Sequence, residues 1–413
     1  MFKLTQLGQC LILPAQLRSN LEDSDMSLTT YRNAQVFTGE SEVFTRMDFT
    51  VNDETGRLVE LDDSGTTRVV DLTSKYVVPG LINAHVHVVL DPYGQFTAGV
   101  NPVVDTTVAL NNLQQAFAAG VTYVRDMGST FDVDLTLANL EKQGQQLLPG
   151  IVGSGPALTM TGGHGANLGR EVDGMDEARK AARENMKRGA KNVKLMATGG
   201  VSVDGEQPTD VQLNEDELTA AVLEAHHKGV TAAAHAQGTV GIKNAVRAGV
   251  DSVEHAIYMD EEAADMMLAR GTVIVPTLVA PWAINQHPDV LPGFMVKKAQ
   301  EVADSHMESM KLAVQRGVKI AMGTDAGTPY NDFQTAVVQE LLMMQEAGMT
   351  PAQVLLAATV LGAELLHVAD DAGELVNGKL ADFVVLANNP LADLHAFVED
   401  RQVFKKGQLV FQS

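Results

Sequence analysis

The chain has 413 residues, 45% of them hydrophobic and 20% charged, enough for a large core plus a smaller domain in a soluble globular protein. Its 52 Asp and Glu outnumber 30 Lys and Arg, giving a net charge of −22. Such a balance repels nucleic-acid phosphates and anionic membranes, so neither is an expected partner, and the acidity reads as a solubility adaptation.

Residues 1–28 read as a poorly ordered or peripherally docked segment. Its apolar patch, Cys10-Leu11-Ile12-Leu13, is too short to span a membrane and lacks the sustained apolar run of a secretory signal. No later stretch could span a bilayer. Cys10 is the single cysteine, so no intrachain disulfide can form. That fits a reducing compartment, and a cytoplasmic location is expected.

Residues 29–75 alternate short strands with polar turns. Tyr31 to Val36 and Met47 to Val51 have strand character, and Asp53-Glu54-Thr55-Gly56 marks a hairpin before Arg57 to Leu61. Residues 371–413 behave alike, with a strand over Asp382 to Leu386 and a hairpin turning at Lys406-Gly407. The two ends are expected to pair in one small β-sandwich domain.

The middle, residues 76–370, repeats one grammar: an amphipathic helix stops at glycine and an apolar strand begins. It recurs at Gly120, Gly189, Gly229, Gly249, Gly271 and Gly317. In one such helix Asn214 and Glu217 form a capping pair, and Leu218, Ala221, Val222 and Ala225 make the buried stripe. A later helix opens at Thr350-Pro351. Strands are expected at Leu81–Ala84, Val121–Arg125, Ile151–Ser154, Asn192–Leu195, Val230–Ala234, Ser252–Glu254, Val273–Pro276 and Lys319–Met322. Eight strands alternating with helices over about 300 residues give an α/β fold, a (β/α)8 TIM barrel. A doubly wound open sheet is the alternative, weakened because no glycine-rich dinucleotide fingerprint follows an early strand.

Active-site residues of a barrel sit at the C-terminal ends of its strands. His85 and His87 end the first strand. They lie one residue apart, so both imidazoles share a face and suit a divalent transition metal. Lys194 lies near the end of the fourth strand, His235 ends the fifth, Glu254-His255 the sixth and Gly323-Thr324-Asp325 the eighth. Taken singly, each has a bland reading as a hydrogen-bonded core residue or a cap. As a set at matching strand ends, they point to chemistry.

The chain resembles the amidohydrolase superfamily, and within it the prolidase-like branch of metal-dependent carboxypeptidases and dipeptidases, related to imidazolonepropionase. The matching stretches are Pro79-Gly80-Leu81-Ile82-Asn83-Ala84-His85-Val86-His87, Thr161-Gly162-Gly163-His164-Gly165, Val193 to Gly200, Ala234-His235-Ala236, Ser252 to His255, Gly323-Thr324-Asp325 and Gly378 to Phe383. The resemblance implies that His85, His87 and Asp325 hold one metal and that His235 and His255 hold a second. It implies that Lys194, carboxylated by CO2 to an anionic carbamate, bridges them. The alternative for Lys194 is a buried lysine paired with a carboxylate. Zinc is the expected metal, with manganese and cobalt compatible. Two such ions share a hydroxide that attacks an amide carbonyl, with Asp325 shuttling the proton to the leaving nitrogen.

His164, between glycines, reads as a donor to the developing oxyanion or to a substrate carboxylate, against a structural loop role. Tyr258 reads equally as a phenol beside the carbonyl or as a rim aromatic. Arg125 is a candidate for the substrate carboxylate, though pairing with Asp126 or a neighbouring strand competes. His226, His227, His287, His306, His367 and His395 are given no chemistry. Val279 to Met295, around Trp282, is expected to be an irregular loop forming a lid or specificity wall. The methionine-rich helix around Leu341 to Met344 reads as core.

The expected activity is hydrolysis of the amide bond of a dipeptide or N-acyl amino acid. A cyclic amide, an ester, lactone or phosphotriester, and a non-catalytic scaffold are the alternatives. The partner is then a small-molecule substrate, and a homo-oligomer is left open.

Overall fold

A computed structural model describes residues 27–62 and 67–413. The expectations for Cys10 and most of the 1–28 segment lie outside the described residues. Strands from both chain ends pair in one sheet, in the order Gln408–Gln412, Arg401–Lys405, Phe383–Leu386, Tyr76–Pro79, Leu28–Val36, Thr45–Asn52 and Arg57–Val59. Arg68–Asp71 joins it beside Leu28–Val36. Its apolar side encloses a core of Tyr31, Phe49, Phe383 and Phe404, with Tyr31 stacked on Phe49 and Phe383 on Phe404. Tyr76–Pro79 belongs to this sheet, four residues beyond the expected limit of the first small-domain segment.

Gly80 is the join to the barrel. A Cβ there would meet the Thr122 side chain at 2.2 Å, so only glycine lets the chain pass from one sheet into the next. The barrel strands are Leu81–Val86, Val121–Asp126, Gly150–Val152, Asn192–Met196, Thr231–Ala236, Ser252–His255 and Val273–Val275. Neighbouring strands run parallel in two arcs, with Ala157–Thr159 and Gly169–Glu171 added beside Asn192–Met196. The expected eighth strand, Lys319–Met322, is reduced. It closes the barrel through a bridge between Ile274 and Ile320, and Ala84 N donates to Met322 O at 2.8 Å. The bulk of the core lies between the barrel wall and its helices, where Leu113, Ala181, Leu218, Ile242 and Leu341 are buried.

The glycine grammar holds in the structure. Gly120, Gly189, Gly229, Gly249, Gly271 and Gly317 all have positive φ, between 65° and 114°, as helix stops require. Asn214 and Glu217 form a full capping box, and Pro351 opens its helix behind Thr350. The segment after the seventh strand departs from expectation. It is helical over Val279–Asn285 and again from Gly293 to Arg316, rather than an irregular loop. Ala280, Ala283 and Ile284 bury one face of the short helix, which stabilises it despite Pro281. Among the described residues no helix is long and apolar enough to cross a membrane.

Candidate metal centre

His85, His87 and Asp325 converge so that one ligand atom of each lies within 4.8 Å of the others. His85 Nε2 and His87 Nε2 stand 3.3 and 3.2 Å from Asp325 Oδ1. Asp325 reaches this point because its turn is clipped to the first barrel strand. Asn83 bonds the side chain and backbone N–H of Thr324, and Asp325 N donates to His85 O at 2.8 Å. Gly323 allows the approach, since a Cβ there would lie 2.9 Å from the His85 Cβ. The rings of His235 and His255 lie 4.6 Å apart, and His255 is 5.1 Å from His85. These rings and Lys194 line one cavity of about 560 Å³ at the C-terminal end of the barrel.

Each of the four imidazoles has one nitrogen anchored and the other left over. His85 Nδ1 meets Glu254 Oε2 at 2.7 Å, and His255 Nδ1 meets Thr277 Oγ1 at 2.6 Å. His87 Nδ1 leans on Gly128 O, and His235 Nε2 on Gly199 O. Such outer partners fix tautomer and ring direction in metal sites. The His85 Nε2 atom is buried and makes no hydrogen bond, which an ion in contact would resolve. The donor set therefore fits a divalent transition metal.

Charge follows the same plan. Burial pushes His235 and His255 well below the ordinary histidine range, and lowers His87 as well, so all three are neutral at neutral pH and carry a lone pair. Burial opposes ionisation of Asp325, but His85 and His87 hold its carboxyl well below the usual range. Burial pulls Lys194 down to about 8 against the attraction of Glu254 and Asp325. Among the described residues no carboxylate forms an ion pair with Lys194. The nearby Glu254 is taken by Arg125, Ser252 and His85.

Arg125 corrects an expectation. It is fully buried and outside the cavity lining, donating to Ala84 O at 2.7 Å, Ser252 Oγ at 3.0 Å and Glu254 Oε1 at 2.9 Å, so it does not face a substrate carboxylate. The competing pairing with a neighbouring strand is what forms. Tyr258 is absent from the cavity lining. It packs beside Val201, Ile284 and Met295 while its neighbour Ile257 faces the cavity. His164 does line the cavity, stacked on His235 with centroids 4.3 Å apart.

The expected wall after the seventh strand is present in part. Ala280, Pro281, Ile284 and Met295 line the cavity, whereas Trp282 does not. Four contributors were not assigned from sequence: Glu254, Thr277, Glu206 and His306. Glu254 stood beside His255 at a strand end, the one signal available. His306, set aside as a helical histidine, lines the cavity with Nε2 on Pro276 O at 2.9 Å.

The amidohydrolase family model matches residues 76–410. Ochratoxinase of Aspergillus niger is 32% identical over 372 residues, 81% of this chain and 75% of that protein. Among solved structures, a Xaa-Pro dipeptidase with bound methionine in the active site superposes with a TM-score of 0.85 at 29% identity, covering 94% of this chain and 100% of the other. A prolidase complexed with N-methylphosphonate-L-proline also gives 0.85 at 29% identity, over 94% and 100%.

Proposed function

The chain belongs to the amidohydrolase family, in its prolidase-like branch, and from that premise we propose that it cleaves dipeptides or N-acyl amino acids with two divalent metal ions. It is a hydrolase acting on amide bonds. The observation that carries the finer reading is the convergence of His85, His87, Lys194, His235, His255 and Asp325, from five strand ends, on one cavity. His85, His87 and Asp325 would hold one ion and His235 and His255 the other, with zinc the best match to imidazole and carboxylate donors. Lys194 would bridge as a carbamate: burial lowers its proton affinity, and among the described residues it has no paired carboxylate, so the free amine that captures CO2 is accessible.

When bound, two such ions supply an acidified water and polarise the amide carbonyl. The residues do the rest. Water oxygen bonds to the carbonyl carbon while the C=O pair moves onto oxygen as an oxyanion, and that pair then re-forms the carbonyl as the C–N bond breaks. Asp325, ionised and beside His85 and His87, takes the water proton on its carboxylate and returns it to the leaving nitrogen. His164 addresses the cavity from beside His235 and is the donor for the oxyanion or a substrate carboxylate. Leu168, Met196, Val203, Ile257, Ile284 and Met295 supply an apolar wall suited to a bulky hydrophobic side chain or acyl group.

The test is hydrolysis of an Xaa-Yaa and N-acyl-Yaa library by zinc-loaded protein, with a cyclic amide and matched esters included. Turnover of apolar members is expected. No turnover of any peptide or N-acyl amino acid would sink the substrate reading, and cleavage of the cyclic amide or the esters alone would move it to those classes.

A further inference from the structure

We propose that Glu206 is a positioning residue for this hydrolysis, acting through His164, an inference that rests on the amidohydrolase reading of the cavity. His164 stands in a loop between Ala157–Thr159 and Gly169–Glu171, so no regular element sets its direction. The loop after the fourth barrel strand does so instead. His164 N donates to Gln212 Oε1 at 2.8 Å, and His164 Nδ1 lies 2.5 Å from Glu206 Oε1.

Glu206 is buried and receives two further donors, Gly200 N at 2.8 Å and Gln212 Nε2 at 3.0 Å. Three donors converging on two oxygens require an acceptor-only group. An ionised carboxylate meets that demand, whereas a glutamine amide has one acceptor oxygen. Although burial opposes it, the His164, Gly200 and Gln212 hydrogen bonds keep the Glu206 carboxyl below its ordinary range. Against an acceptor-only carboxylate Nδ1 is the donor of the pair, and Nε2 is left for the cavity.

One face of the ring stacks on His235 at 25° between planes. Gly200 provides clearance for the ring, since a Cβ there would fall 2.4 Å from His164 Cε1. The imidazole is thus held by an edge and by one face, as positioned catalytic groups are. Lys298 pins the same loop without touching His164. Its ammonium donates to Val203 O at 2.6 Å and Gly200 O at 3.3 Å.

The experiment is a double-mutant cycle on kcat/KM with zinc-loaded protein and N-benzoyl-L-phenylalanine. Glu206→Ala is expected to lower kcat/KM about 10–100-fold, the usual effect of removing an orienting partner. On a His164→Ala background it should cost nothing further. A second measurement needs no turnover. In 15N-histidine-labelled zinc protein, the His164 signal, identified by its loss in His164→Gln, should show a protonated Nδ1 with a downfield proton, and Glu206→Ala, which leaves no acceptor, should abolish it. Multiplying losses for Glu206 and His164, or a His164 Nδ1–H unchanged in Glu206→Ala, overturns the proposal. If wild-type protein cleaves no amide, the substrate reading fails, and the labelled spectrum still decides the role of Glu206.

Discussion

Replacing Glu254 with glutamine perturbs two things at once, and the structure separates them. The first is charge. Glu254 and Arg125 are both fully buried with 2.9 Å between them, so the substitution strands a guanidinium away from water. Breaking a buried pair from one side costs about 3–5 kcal/mol. Titration gives a similar scale. Burial opposes ionisation, yet Arg125 and His85 hold Glu254 at about 2 against an ordinary 4.5, roughly 3 kcal/mol at about 1.4 kcal/mol per tenfold change in proton affinity. Because the folded value is depressed, that stability is present above about 4.5 and drains away as pH falls towards about 2. The second effect is tautomeric. Glutamine keeps its oxygen on Arg125 and Ser252 and turns its NH2 towards His85 Nδ1. That nitrogen must then accept, and the proton moves to Nε2, the atom left for the metal. Urea unfolding of metal-free protein is therefore expected to show a loss of about 3–5 kcal/mol. Chelator competition should show zinc affinity down about 10–100-fold. Arg125→Met should match the first loss with a smaller second one, since His85 keeps its acceptor. A Glu254→Gln protein within about 1 kcal/mol of wild type that binds zinc equally well would refute both arguments.

Three further outcomes follow from the geometry. Lys194→Ala should lose metal and activity together, and two equivalents of zinc retained by elemental analysis would contradict a bridging role. Gly200→Ala should displace the His164 ring, because the new Cβ would sit 2.4 Å from Cε1. The expected readout is a fall in kcat/KM with little change in zinc content, and unchanged kinetics would show that the ring has room. Glu340→Ala should cost about 2–4 kcal/mol in urea unfolding, since the Glu340 carboxyl oxygens accept from Leu278 N and Val279 N and both are buried. A smaller loss would mean that water replaces the carboxyl group.

What could be read from sequence was what repeats or is local. Glycine helix stops, the Asn214 cap and the His85-Val86-His87 alternation need only neighbouring residues, and all are present. Arg125 shows where that reading ends. Its position at a strand end was legible, but whether it meets the cavity or the wall depends on the strand bearing Glu254, 129 residues away. The anchors of the imidazoles are hidden for the same reason. Thr277 matters to His255, and Glu206 to His164, only through contacts between separate loops. The Val279 to Met295 segment misled differently. Its prolines suggested irregularity, which holds around Pro288, while burial of Ala280, Ala283 and Ile284, with Ile284 packed on the helix that follows, makes Val279–Asn285 a helix.

Backbone strain explains why adjacent residues can serve one site. In a regular strand Glu254 and His255 would face opposite sides. Both meet His85, one through its carboxylate and the other with its ring. His255 has φ of 70° and Ala256 of 51°, so the chain leaves strand geometry at the ligand itself and brings the second side chain back to the centre. Thr277 and Asp325, with φ of 52° and 58°, do the same at the neighbouring strand ends. Each such residue costs roughly 1–3 kcal/mol and persists only where its surroundings enforce it. The enforcing contacts are specific: Ser309 Oγ holds Ala256 O, Glu340 holds the N–H groups after Thr277, and His85 O holds Asp325 N. The outer helices that carry Ser309 and Glu340 therefore take part in shaping the centre although neither residue faces the cavity. A change at either should spread through the backbone to a metal-facing side chain before it disturbs the barrel.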